Sequence, residues 1–63
     1  MKFTLEIDCD NAAFADGCHN YEVARILREL ADSLDAGLFD GNRRSSGLRD
    51  TNGNHVGQAV LHE

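Results

Sequence analysis

Five side chains in this sequence could hold a metal ion or attack a substrate: Cys9, Cys18, His19, His55 and His62. Zinc sites draw their ligands in tight pairs, because one turn of chain must present both to a single ion. Here eight residues separate Cys9 from Cys18, His19 adjoins Cys18, and the other two histidines are seven positions apart. None of these spacings is a ligand pair. The alternation around Cys9 puts its thiol on the apolar face of a strand, where free cysteine behaves as a small hydrophobe. Nucleophilic catalysis needs a base within reach of the attacking thiol. Cys18 and His19 are adjacent, so their side chains diverge. A phosphate cradle needs a glycine-rich loop with a lysine after it, yet the glycines are scattered at turns and the one lysine is Lys2. A chain of 63 residues with one thin core has little room for a substrate-sized cavity. The expectation is a protein without catalysis, metal or cofactor.

Carboxylates carry more information. The chain has 11 acids against 6 bases, a formal charge of −5. Residues 1–40 contain nine acids and three bases, whereas residues 41–63 contain two and three. The excess is therefore confined to the first forty residues. Glu6, Asp8 and Asp10 fall on one side of an alternating segment, at steps of about 6.5–7 Å, twice the rise of a strand residue. That pitch is comparable to the spacing of backbone phosphates. Asp16 and Glu22 belong near the end of the molecule where that strand finishes and a helix begins. Asp32 and Asp35 occupy the last turns of the helix, where the macrodipole favours cations, and Asp40 follows. An acid placed against that rule is a candidate for function. The candidate partner-binding residues are thus Glu6, Asp8, Asp10, Asp16, Glu22, Asp32 and Asp35.

The charge also limits the partners. Nucleic acid requires cations to neutralise phosphate, and anionic membranes require the same, so direct binding to either is not expected. A basic protein is the complementary partner. The segment Met1–Glu6 has an acid where a signal peptide needs its apolar stretch, which predicts a cytoplasmic protein with reduced thiols.

These residues need elements to place them. Phe3, Leu5, Ile7 and Cys9 alternate with Lys2, Thr4, Glu6, Asp8 and Asp10, which predicts a half-buried strand over about 2–10. Ala12–Phe14 suits a single helical turn that tucks Phe14 under the core, and Asp16-Gly17 is a turn-forming pair. Val23, Ile26, Leu27, Leu30 and Leu34 form one apolar stripe. With Asn20 as N-cap and Gly37 just past the end, the helix runs about 21–36. Arg25 with Glu29 and Arg28 with Asp32 are ion pairs one turn apart. Leu38-Phe39 folds back on the core.

Residues 45–61 read as a hairpin turning at Asn52-Gly53. A two-residue loop opposes Leu48 to Gly57. A three-residue loop, Thr51-Asn52-Gly53, opposes Leu48 to Val56 and adds Val60 to the same face; apolar phase favours the second. The order strand, helix, strand, strand predicts an α+β domain spanning 1–63, one helix packed on a three-stranded, mostly antiparallel sheet of order 1-3-2. Its state is expected to be a monomer or weak homodimer.

The opening Met1–Phe14 (MKFTLEIDCDNAAF), the central Glu22–Asp32 (EVARILRELAD) and the closing Gly47–Gly57 (GLRDTNGNHVG) resemble small acidic orphan proteins of bacteriophages and bacterial mobile elements. In size, charge and build the chain is similar to anti-CRISPR proteins. That resemblance implies a stoichiometric inhibitor of host defence, whose carboxylates occupy the basic nucleic-acid channel of a Cas effector subunit in the bacterial cytoplasm. It carries no catalytic residue across. The charge of −5 is modest for a DNA mimic, and Tyr21, Leu38 or Phe39 would serve a blocker that acts by bulk. The alternative is a small phage accessory module acting by homo-oligomerisation or protein contact.

Overall fold

Alternation organises the first strand and then stops sooner than the sequence suggests. In the computed structural model, which describes residues 1–15 and 17–63, β1 spans Lys2–Ile7. The Asp8 N–H still donates to Val56 O at 2.7 Å. Asp8 Oδ1 then accepts from the Asp10 N–H at 3.0 Å, an Asx turn that bends the chain out of the sheet. The expected strand to residue 10 is corrected accordingly, and Cys9 is exposed rather than buried. Asn11 Oδ1 accepts from the Ala13 N–H and caps a 3-10 turn, Ala12–Phe14, that buries Phe14 as expected. The expected Asp16-Gly17 turn lies partly outside the described residues, which exclude Asp16.

The helix α1, His19–Asp35, starts earlier than its expected first residue, with Cys18 rather than Asn20 at the cap position and no side-chain capping bond. Its end is as expected. Gly37 has φ +90°; its N–H donates to Leu34 O, and the Leu38 N–H donates to Ser33 O. These paired bonds satisfy the last carbonyls through a left-handed residue, a conformation open to glycine.

The other two strands are β2, Ser45–Arg49, and β3, His55–His62. The sheet is wholly antiparallel with order β1-β3-β2, so the chain is a small α+β protein. The hairpin uses both registers weighed above. At the turn the three-residue loop holds: Arg49 opposes His55, the Asp50 N–H donates to Asn54 O, and Gly53 has φ +86°. A bulge between Leu48 and Arg49 then shifts the pairing, so Leu48 opposes Gly57. The expected Leu48–Val56 pair is therefore corrected. Val60 opposes Thr4 and Ser45, which puts it on the face away from Ala59. Because one strand bends at a bulge, Val56 still reaches the core.

That core is Phe14, Ile26, Leu30, Leu48, Val56 and Ala59, with Ile7, Ala13, Val23, Leu38 and Phe39 packed around it. Phe39 meets Phe3 with ring centroids 6.2 Å apart, so the end of α1 lies beside the start of β1. No helix among the described residues is long and apolar enough to cross a membrane.

Candidate functional site

The acids fall into three groups with different surroundings. At the end of β1, Glu6, Asp8 and Asp10 are exposed. Glu6 and Asp8 line an open hollow with His55, Val56, Gly57 and Gln58. Asp8 and Asp10 line its neighbour with Asn11, His55 and Val56. The two hollows share Asp8, His55 and Val56, so the three acids border one stretch of surface, but they do not form a straight row, since the chain turns at Asp8. None of them makes an ion pair among the described residues.

At the far end, Asp32 and Asp35 are exposed in the closing turns of α1, which contain no basic residue. The length of the sheet separates them from Glu6, Asp8 and Asp10, so the two groups cannot share one flat contact. The expected Arg28–Asp32 ion pair is absent among the described residues. Asp40, just beyond, accepts from the Asn42 and Arg43 N–H groups at 2.8 and 2.9 Å, and these bonds hold its carboxyl below the usual range.

Glu22 belongs to the third group and is removed from the contact surface. Its residue is 2% exposed, and its carboxylate is fully engaged. Arg25 Nε and Nη2 donate to its two oxygens at 2.8 and 2.9 Å, and the Thr51 N–H donates at 2.6 Å. The Arg25 hydrogen bonds lower the Glu22 pKa more than burial raises it. Arg25 also reaches Glu29 at 2.8 Å, as expected, and Arg49 O at 3.2 Å. A helix residue thus ties the first turn of α1 to the hairpin loop.

Beside it lies Asp50, 5% exposed, which had no assigned role in the sequence. Burial would raise its pKa, but four donors prevail and lower it. Oδ1 accepts from the Asn52 and Asn54 N–H groups, and Oδ2 from the Asn11 and Asn54 side chains. The signal was present, since an aspartate before Thr-Asn-Gly is placed to accept from the amides of the turn it opens. Asn11, by contrast, bonds across 39 positions, which no local pattern announces. Asp16, the remaining candidate, lies outside the described residues.

Among the described residues, no three His, Cys, Asp or Glu side chains converge as a metal site, and Cys9 and Cys18 are free thiols. The two hollows beside His55 are open and are lined by the exposed acids together with Val56. The chain matches no family model, no curated protein and no solved structure.

Proposed function

We propose that this chain is a non-catalytic inhibitor of the anti-CRISPR kind. Its acidic end occupies the nucleic-acid-binding site of a basic protein, such as a CRISPR-Cas effector subunit in the host cytoplasm. The observation that supports this reading is the set of Glu6, Asp8 and Asp10, three exposed acids without ion pairs among the described residues, which line two adjoining hollows that share Asp8, His55 and Val56. Such a surface attracts lysine and arginine at long range and steers association. Asp32 and Asp35, on another side, add to the field without sharing the contact.

The test is a mobility-shift titration of an effector complex on its target DNA. The wild-type chain should release the DNA at low salt and lose potency as salt rises. Asp8→Lys with Asp10→Lys should abolish inhibition while the far-ultraviolet circular dichroism stays unchanged. Undiminished inhibition by that double variant would overturn the reading. A second reading, an accessory module that works by self-association or protein contact, is favoured by the open edge of β1.

A further inference from the structure

The two edges of the sheet are finished differently. Along β2 the backbone carbonyls directed away from β3 are those of Ser45, Gly47 and Arg49, and each accepts from a side chain. Arg43 Nε donates to Ser45 O at 3.3 Å, the Ser46 hydroxyl to Gly47 O at 3.5 Å, and Arg25 Nη2 to Arg49 O at 3.2 Å. Along β1 the Asp8–Val56 bond sets the phase. Lys2, Thr4 and Glu6 direct their backbone groups to β3, which leaves those of Phe3, Leu5 and Ile7 directed outward. Among the described residues only the Cys9 thiol approaches one of them, Ile7 O at 3.8 Å. Unpaired edges of this kind are templates for another strand.

The apolar surface beside that edge is also incomplete. Glu29 and Ser33 line the hollow toward β2, so Leu27 and Leu34, on the other flank of the stripe, border β1. Phe3, Leu5, Leu27 and Leu34 are 44%, 40%, 39% and 39% exposed. They form an open seam between the helix and the bare edge. No large side chain anywhere in the described structure is fully buried, and no disulfide staples the chain. Domains of this size commonly gain their missing stability by association.

We propose that a second copy of this chain covers this edge. The two β1 strands pair antiparallel about a two-fold axis through Thr4 to make one six-stranded sheet. The sequence of β1 is self-complementary in that register. Lys2 faces Glu6 of the second copy and Glu6 faces its Lys2, while Phe3 faces Leu5 on the helix side, as an isologous contact requires. Phe3 and Leu5 also become the hydrogen-bonded pairs, which uses the outward backbone groups. Moving the axis to Leu5 would bring the two Glu6 carboxylates diagonally together and send Lys2 to Asp8, beyond the strand. Asp8 and Asp10 stay free in the Thr4 register. The proposal rests on the second reading above and adds to it the partner, the edge and the register.

Sedimentation equilibrium from micromolar to millimolar protein tests it. The expected mass approaches twice 6.9 kDa as concentration rises. Lys2→Glu and Glu6→Lys should each weaken association by about tenfold, because each sets like charges opposite one another twice. The double variant Lys2→Glu/Glu6→Lys should restore it, which separates charge pairing from loss of fold. In a Cys9→Ser/Cys18→Ser background, Thr4→Cys should cross-link to itself on mild oxidation, since Thr4 faces its own copy at a closely spaced pair. A monomer at millimolar concentration would overturn both the proposal and the self-association reading. A dimer indifferent to both reversals, or one without Thr4→Cys cross-linking, would overturn the register alone.

Discussion

Glu22 is an acid in the first turn of a helix, where the macrodipole already favours it, and the fold adds Arg25 and the Thr51 amide. Its pKa lies below the ordinary 4.5, and that of Asp50 lies below the ordinary 3.8. A carboxylate with a depressed folded-state pKa contributes stability that is complete above its unfolded pKa and lost as pH falls through the folded value. Thermal melts should therefore be nearly flat from neutrality to about pH 5 and decline below it. Glu22→Gln should lower the melting temperature at pH 7 by roughly 5 °C or more and soften the acid decline, as followed by circular dichroism. Reading Glu22 as part of an outward surface followed from its charge alone. Its burial depends on Thr51, which is 29 positions away, and helix periodicity holds no trace of that contact. Asp8 and Asp10 remained exposed because their own turn turns them outward.

At the level of elements, local patterns were legible where one element decided its own geometry. The Gly37 stop, the single turn that buries Phe14 and the antiparallel order all followed from short signals. The hairpin register did not, because two strands decided it together. Val56 and Val60 look like one apolar face, yet the bulge puts Val56 inward while Ala59, 0% exposed, takes the position beneath the helix. Gly57 has a reason equally invisible in sequence: a Cβ there would lie 1.8 Å from the Glu6 backbone oxygen. The Ile7 Cα would be 3.0 Å away, and both neighbours are backbone rather than a flexible tip, so the strands must separate. Gly57→Ala should destabilise the protein by at least the ~1–3 kcal/mol typical of overpacking. Urea denaturation would measure it, and faster amide exchange along β1 would locate the damage.

The molecule is an elongated body of 39 × 19 × 17 Å with six buried apolar residues among those described. A domain of this length has a total stability of roughly 3–9 kcal/mol. Ile26, 2% exposed at the centre of that core, makes the point sharply, since truncating a buried isoleucine costs ~2–5 kcal/mol. Ile26→Ala should leave the chain largely unfolded at 37 °C by circular dichroism; a cooperative melt above 50 °C would show that stability resides elsewhere. The charge excess is divided along the same long axis, Glu6, Asp8 and Asp10 at one end and Asp32 and Asp35 at the other. Lys2, next to Phe3, and Arg44, bonded to Leu61, lie at that second end as well, so the acids there are interspersed with cations.

The register of β1 on the central strand β3 brings Lys2 beside His62, and Thr4 shares a hydrogen bond with His62 at 2.9 Å. Both extremities of the described chain thus leave from one corner, about 20 Å along β1 from Asp8. A dye, an affinity handle or a surface linker attached at either extremity hangs from that corner. The molecule can be immobilised or labelled there with the hollows beside His55 left open to whatever approaches them.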